Sequence, residues 1–269
     1  EHLRRVEAAI GTIETSKLDK VVLARAVDIE FPEAIDPRLV AARLIDLSAN
    51  RDGFIADLSP AGRPGAMLVG SSPEVLVKRQ GSTVSAFPLA GSSPRRTSAA
   101  EDHIAGQDLL HSAKDLHEHS FVVEHLRRVL SPLCERLDIP DTPQLISTNE
   151  MWHLGTPISG TLKDKDLTAL ELALAAHPTP AICGTPAEAA QALIETAETD
   201  RGFYAGAVGW CDSSGDGEYM VAIRCAEVAG DGLSARAWAG GGIVGDSDAH
   251  AELEETTAKL RTILKALSL

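Results

Sequence analysis

The sequence has little positive charge and few aromatic residues. Of its 269 residues, 25 are Lys or Arg and 39 are Asp or Glu, so the formal net charge is −14 at pH 7, and only 4% are aromatic. Such a surface repels a phosphate backbone and an anionic membrane alike, which argues against nucleic acid and membranes as partners. A small anionic substrate is compatible only if locally placed cations or a bound metal offset the acidic field.

Cysteine is scarce, and long apolar runs are missing. The four cysteines form no CxxC or other short metal-binding spacing, which favours buried free thiols. No stretch approaches the roughly 18 consecutive apolar residues of a membrane span, and the first residues lack the apolar run of a secretory signal. We therefore expect a cytoplasmic protein.

What is present is the composition of a folded domain, 44% hydrophobic and 24% charged. Apolar residues at helical spacing predict helices over residues 1–17, 36–48, 111–137, 167–176, 185–199 (with Thr185 as N-cap) and 249–267. Short apolar runs between turn residues predict strands over 20–30, 53–58, 66–69, 75–78, 83–87, 203–210, 218–226 and 233–239. With no repeat or linker, this order predicts one α+β domain over residues 1–269.

Acidic residues on the last predicted helix share one face. Glu252 and Glu255 are three residues apart and Lys259 is four further on, so both carboxylates can meet one ligand. The alternative is a solvated helix face with an ordinary surface ion pair, and periodicity does not decide between the two.

A second acidic pair lies near the start of the predicted helix over 111–137. Asp115 and Glu118 share a face, whereas His117 and His119 point in nearly opposite directions, so the HEH sequence is not a two-histidine zinc clamp. A carboxylate pair from each of two helices, without cysteine or convergent histidine, favours Mg²⁺ if the two helices face each other.

Two further residues are candidates for acid–base chemistry. Burial of Lys20 at the start of an apolar strand would favour a general base, although a lysine there can also extend to solvent. Glu74 follows a strand at a turn, where it either faces a pocket or is an ordinary turn residue.

Arg224 is a charge in an apolar strand, which is costly unless it pairs with an acid or an anionic ligand. The run Gly240 to Gly242 is interpreted as a turn that either exposes N–H groups to a carboxylate or simply reverses the chain.

Taken together, the sequence resembles the chorismate-utilising enzymes, and among them the isochorismate synthases. The matching motifs occur in order along nearly the whole chain: KVVLAR from Lys20, GSSPE to Glu74, PLAGS to Ser92, KDLHEH from Lys114, WHL from Trp152, HPT to Thr179, GAVGWCD to Asp212, IRCA around Arg224, GGGIV from Gly240 and ELEET from Glu252. The resemblance implies an α+β fold of two packed antiparallel sheets with helices outside, like anthranilate synthase component I. Family members usually carry a further N-terminal segment, and the missing initial Met suggests a fragment or processed form.

The resemblance also implies an activity and a set of roles. The activity is that of an isomerase, a hydroxymutase that converts chorismate to isochorismate with Mg²⁺, acting as a monomer. Lys20 would activate water for attack at C2, and Glu74 would protonate the hydroxyl that leaves C4. The implied metal ligands are Glu118, Glu252, Glu255 and Asp115. The implied substrate-binding residues are Arg224, Tyr204, Gly91, Ser92, His153, Thr179, Gly240, Gly241, Gly242 and Lys259, of which His153 is as readily a structural histidine.

Three alternatives share parts of this pattern. By resemblance, salicylate synthases share Lys20, Glu74, the metal-binding glutamates and Arg224, and they go on to eliminate pyruvate from isochorismate. The aminodeoxychorismate type would have a lysine where Ala90 stands. A non-catalytic chorismate-binding module is a third alternative, but it would need neither Lys20 nor Glu74. The pattern is shared whether the product feeds siderophore, menaquinone or salicylate synthesis.

Overall fold

The computed structural model describes residues 1–268, whose fold combines helices and antiparallel strands in the α+β class. The helices are α1 (His2–Thr15), α2 (Pro37–Leu47), α3 (Ala99–His111), α4 (Ala113–Leu130), α5 (Ala169–Ala176), α6 (Ala187–Ala197) and α7 (Ala249–Ala266). The strands are β1 (Lys20–Glu30), β2 (Gly53–Asp57), β3 (Met67–Ser71), β4 (Val75–Gln80), β5 (Thr83–Phe87), β6 (Leu89–Pro94), β7 (Cys134–Asp138), β8 (Gln144–Ser147), β9 (Met151–Gly155), β10 (Ile158–Leu162), β11 (Gly184–Thr185), β12 (Ala207–Cys211), β13 (Gly217–Val221), β14 (Cys225–Val228) and β15 (Ser234–Ile243). In this part of the chain, no helix is long and apolar enough to cross a membrane.

The strands form two large sheets and one small one, with antiparallel pairing throughout. The first sheet has the order β11-β1-β15-β14-β3-β2, the second β12-β13-β4-β5-β10-β7, and the third β6-β9-β8. The prediction of an α+β fold with antiparallel sheets is confirmed, and the small third sheet is an addition to it.

The main core joins the two large sheets. Its largest apolar cluster combines residues of the first sheet, such as Leu68, with residues of the second, such as Val77 and Ile158, and includes Leu126 of α4. Two further clusters lie under helices, one beneath α2 and α7 and the other beneath α1 and α6. The sheets are therefore held by apolar burial, the main favourable contribution to folding.

The pairing of β1 with β15 is the longest in the molecule. It runs from Val21 opposite Ile243 to Glu30 opposite Ser234. The first five residues of β1 are all buried, and the strand then alternates between buried and exposed positions. Lys20 therefore begins a strand that is covered on both faces at its start, and this is the end of the strand at which the polar groups collect.

The predicted long helix over 111–137 is wrong in its extent. The helix within this range is α4 alone, and its N-cap is Ser112, whose hydroxyl accepts a hydrogen bond from the Asp115 N–H. The preceding helix α3 ends at His111 and was not predicted. Pro132 has no N–H to continue the helix, and the residues from Cys134 form β7. The apolar spacing that suggested one helix thus spans a helix and a strand.

The predicted cap of α6 is also wrong. Thr185 pairs with Lys20 as part of β11, and Pro186 occupies the N-cap position without a side-chain hydrogen bond. The backbone of Thr185 is committed to the sheet, because its carbonyl also accepts the Asp19 N–H. Pairing with β1 therefore takes precedence over the local capping signal.

Candidate active site

A narrow cleft opens beside the paired ends of β1 and β15, and we call it the central cleft. Its cavity volume is about 60 Å³. Its polar lining comprises Glu74, Ser92, Glu118, His153, Tyr204, Arg224, Glu255 and Lys259, with Gly91, Gly240 and Gly242. Most residues singled out from the sequence therefore converge here from distant parts of the chain.

The glycine run lies inside β15 and is not a turn, so that prediction is wrong. Gly240, Gly241 and Gly242 pair with Ala24, Leu23 and Val22 of β1. A Cβ at Gly240 would lie 2.9 Å from the Tyr204 hydroxyl, and one at Gly241 would lie 2.9 Å from Glu252 Oε2. This stretch of β15, Gly240 to Gly242, has no side chains, and side chains from other elements occupy the space that they would need. We call it the bare stretch of β15.

Lys20 and Glu118 form a buried ion pair next to the bare stretch of β15. Lys20 is 0% exposed, and its Nζ lies 3.0 Å from Glu118 Oε1. The contact lacks hydrogen-bond geometry, and within residues 1–268 the ammonium has no other hydrogen-bond partner. The sequence pattern is compatible with a buried or a solvent-exposed Lys20, and the structure places this side chain in the interior.

Four carboxylates gather where α4 and α7 meet β15. Glu118 and Asp115 come from α4, and Glu252 and Glu255 come from α7. Three lysines accompany them. Lys20 pairs with Glu118, Lys114 Nζ lies 3.0 Å from Glu252 Oε1, and Lys259 pairs with Glu255. Four carboxylates face three ammonium groups, so the cluster would have one negative charge in excess with all four carboxylates ionised.

The charges in this cluster shift one another's pKa values. Burial, together with the neighbouring Glu255, raises the pKa of Glu252 to about 7. Burial also raises the pKa of Asp115. For Glu255 burial acts in the same direction, but Lys259 and Lys114 outweigh it and lower the pKa. Burial alone would lower the pKa of Lys114, and the surrounding carboxylates raise it overall.

The donor chemistry of this cluster fits a hard divalent cation. All four donors are carboxylates, the ligand type that Mg²⁺ prefers. Glu252 Oε2 is buried and has no hydrogen-bond partner among the described residues, which is costly for a carboxylate unless something satisfies it. Across residues 1–268, no three His, Cys, Asp or Glu side chains are already gathered into a metal-holding group. The carboxylates would therefore have to converge around an ion.

Glu74 lies in the wall of the central cleft between β3 and β4. Burial raises its pKa to about 7, although the Leu89 N–H and the cations Lys20, Lys259 and Arg224 all act to lower it. The protonated form of this carboxyl is therefore well populated near neutral pH. Glu74 is no ordinary solvent-facing turn residue.

Arg224 interrupts the predicted strand over 218–226. It lies between β13 and β14 with a φ of 51°, in the left-handed region that non-glycine residues seldom adopt. Its Nη2 is 3.4 Å from His153 Nε2, so that nitrogen must be the acceptor. Burial and Arg224 keep the pKa of His153 well below its usual range, and the ring is neutral.

Tyr204 presents its hydroxyl to the same cleft. Its ring stacks on Trp238 at a centroid distance of 6.0 Å, and the Arg201 guanidinium lies 5.9 Å from its centroid. Burial raises the pKa of Tyr204, so the hydroxyl stays protonated as a donor. With Arg224 it forms the part of the cleft best suited to an anionic group.

The remaining predicted residues differ in position. Gly91 has a φ of 78°, and a Cβ there would lie 3.1 Å from Asp115 Cβ. The central cleft is not lined by Lys20, Asp115, Glu252 or Gly241. Thr179 is buried behind it, and its hydroxyl accepts the Ala181 N–H.

No pattern in the sequence pointed to the supporting roles of two groups. Arg201 donates hydrogen bonds to the carbonyls of Val22 and Ile182 and pairs with Glu198, which also accepts the Ala24 N–H. Their spacing of three residues is that of an ordinary surface ion pair. His119 joins the Ala90 carbonyl at 3.1 Å to the Thr156 hydroxyl at 2.7 Å and so fixes the segment before Gly91.

Comparison with known proteins gives consistent matches. The family described as "Chorismate binding enzyme" matches residues 1–268. The MenF protein of Mycobacterium tuberculosis is 51% identical over 252 residues, covering 93% of this chain and 68% of its own length. The isochorismate synthase DhbC of Bacillus subtilis is 45% identical over 265 residues, covering 97% and 66%. The crystal structure of DhbC from Bacillus anthracis superposes with a TM-score of 0.94 at 41% identity, covering all of this chain and 72% of that one. The chain thus spans about two thirds of the length of its curated relatives.

The bare stretch of β15 gives a test of this geometry. A Cβ at Gly242 would overlap the Glu118 carboxylate and lie 2.9 Å from Lys20 Cε. We expect Gly242→Ala to lower the free energy of unfolding by about 1–3 kcal/mol, measured by urea denaturation, because the buried ion pair must move. Gly11→Ala in α1 is the control, since nothing lies within 4 Å of a Cβ there. It should raise stability by about 0.5–1 kcal/mol. Equal effects of the two changes would contradict the close approach at Gly242.

Proposed function

The chain belongs to the chorismate binding enzymes, and on that premise we propose that it is an isochorismate synthase. The proposed reaction adds water at C2 of chorismate, shifts the double bond and releases the C4 hydroxyl as water, so that it is an isomerisation overall. The observation that carries the proposal is that the central cleft is lined by both the protonatable, buried Glu74 and Glu118, and that Glu118 forms an ion pair with the fully buried Lys20 beside the cleft. A relative at 45% identity that is named an isochorismate synthase supports it.

Lys20 is the proposed general base. Its ammonium is held by Glu118 in the interior, and it must lose its proton before it can accept one from the attacking water. Complete burial keeps bulk water away from this nitrogen. The base is thereby restricted to water admitted with the substrate.

Glu74 is the proposed general acid. Because its pKa is about 7, it retains a proton at a pH where an exposed glutamate is fully ionised. That proton goes to the C4 hydroxyl as the C–O bond breaks, since water is a far better leaving group than hydroxide. The two proton transfers therefore need opposite starting states, because Glu74 must carry a proton and Lys20 must have lost one.

The remaining cleft residues bind and orient the substrate in this proposal. Arg224 and the Tyr204 hydroxyl hold the enolpyruvyl carboxylate, beside His153. Gly91, Ser92, Lys259 and the backbone of Gly240 to Gly242 support the ring carboxylate. Thr179 acts from behind the cleft wall, through the Ala181 segment.

Mg²⁺ is the proposed cofactor. Glu118, Glu252, Glu255 and Asp115 would hold it, and the ion would neutralise the ring carboxylate of chorismate. A divalent cation held here would also explain how an acidic protein accepts an anionic substrate, because it would more than offset the negative charge that the lysines leave uncompensated.

The decisive experiment identifies the product. Purified protein is incubated with chorismate and Mg²⁺, with an EDTA control, and the products are identified by NMR. We expect metal-dependent formation of isochorismate without pyruvate. Salicylate with pyruvate would instead show a salicylate synthase, and bound but unconverted chorismate would show a binding module.

Substitution of the acid and the base tests their roles. We expect Lys20→Ala and Glu74→Gln each to lower kcat by about 10²–10⁴-fold, the usual contribution of a general acid or base. Lys20→Met, which preserves the buried volume, should be as inactive as Lys20→Ala. The exposed Lys17→Ala serves as the control and should leave kcat unchanged. A near-wild-type rate in either first variant would remove that residue from the mechanism.

The pKa of Glu74 predicts the pH dependence. A general acid must be protonated, so kcat/KM for chorismate should fall as the pH rises through about 7. The measurement is a pH profile of kcat/KM over two units on either side, with circular dichroism at each pH to verify the fold. A profile that rises steadily across this range would rule out Glu74 as the acid of the free enzyme.

A further inference from the structure

A second cleft adjoins the central cleft, and we call it the acidic cleft. It lies between α3, α4 and α7 and has a volume of about 560 Å³. Eight acidic side chains line it against only two basic ones, Arg96 and Lys114. Its surface therefore attracts cations and repels anions such as chorismate.

Two residues form the wall between the two clefts. Glu255 and Ser92 line both of them. Glu252 and Lys114 line only the acidic cleft and not the central cleft. A ligand would therefore approach the Glu252 carboxylate from the acidic cleft.

The two oxygens of the Glu252 carboxylate are unequally satisfied. Oε1 accepts hydrogen bonds from Lys114 Nζ at 3.0 Å and from the Ser247 hydroxyl at 2.9 Å. Oε2 is buried and has no partner in the described part of the chain. Lys114 Nζ also lies 3.7 Å from Asp115 Oδ1, so one ammonium serves two of the four carboxylates.

We propose that a divalent cation entering from the acidic cleft must displace the Lys114 ammonium from Glu252 before it can bind that carboxylate. We call this Lys114–Glu252 ion pair the latch. Lys114 thereby sets the affinity of the site for the cation. The inference rests on the metal ligands of the proposed function, and it gives Lys114 a positioning role toward them. An ammonium and a cation compete for the same carboxylate, and they also repel each other while both are near it.

Removal of the ammonium should therefore tighten cation binding. Loss of the competing ion pair and loss of the repulsion act in the same direction. We expect Lys114→Met to lower the Kd for Mg²⁺ by about tenfold. The apo variant should also be less stable than the wild type, because Glu252 is left buried without a counter-charge, and Mg²⁺ should raise its Tm by more.

The experiment measures Mg²⁺ binding by isothermal titration calorimetry and Tm with and without Mg²⁺, in the absence of chorismate. Lys114→Arg keeps the charge and should bind Mg²⁺ like the wild type. Lys78→Met removes one positive charge from a surface pair with Glu218 and controls for net charge. Glu252→Gln should weaken binding. Lys114→Gln, which keeps a donor for Glu252, carries the same expectation as Lys114→Met and replaces it if that variant does not fold.

The outcomes separate this inference from the proposed function. Tighter Mg²⁺ binding in Lys114→Met and Lys114→Gln, but not in Lys114→Arg or Lys78→Met, supports the latch. This holds even if the wild type converts no chorismate and the proposed activity fails. Unchanged or weaker binding in both overturns the latch, even if the wild type makes isochorismate. A protein that converts chorismate with no Mg²⁺ binding in any variant overturns the metal ligands and the latch together.

Discussion

The antiparallel pairing of β1 with a glycine-only stretch of β15 is the constraint on which the site depends. Gly240 to Gly242 keep the full backbone ladder to β1, so the sheet is not weakened by a break. Their missing side chains leave space for Tyr204 and Glu118 toward the cleft and for Glu252 from α7. A strand with ordinary side chains would hold the sheet equally well and would exclude all three groups.

Charge balance is the second constraint, and it links α4 to α7. Burying four carboxylates is very unfavourable unless each is compensated, and the lysines come from three different elements: Lys20 from β1, Lys114 from α4 and Lys259 from α7. Lys259 also donates to the Gly240 carbonyl at 2.9 Å, which fixes α7 against β15. The ion pairs thus determine where the helices lie as well as the charge of the site.

Local patterns predicted many of the elements but missed α3 and the strands β6 to β11, and tertiary contacts decided how the elements meet. The β-branched run gave the bounds of β1, and three-residue spacing placed Glu252 with Glu255 on one face of α7. That α4 and α7 face each other follows from packing over more than 100 intervening residues, which no local period encodes. The glycine run was misjudged because glycine marks turns by its backbone freedom, whereas here its small volume is what matters. The interruption at Arg224 was invisible because its neighbours are apolar and strand-like.

The protonation of Glu74 shows how these constraints act together. Three cations are near enough to lower its pKa, and an acid beside three free cations would be ionised. Two of them are engaged elsewhere: Lys20 pairs with Glu118, and Lys259 with Glu255 and the Gly240 carbonyl. Arg224 faces the neutral His153, and no carboxylate forms an ion pair with it in the described residues. Desolvation of Glu74 therefore outweighs the nearby charges. Glu74 keeps its proton because burial outweighs these cations, two of which are already paired with carboxylates around the proposed metal position, so the proposed acid and the proposed metal ligands belong to one electrostatic arrangement.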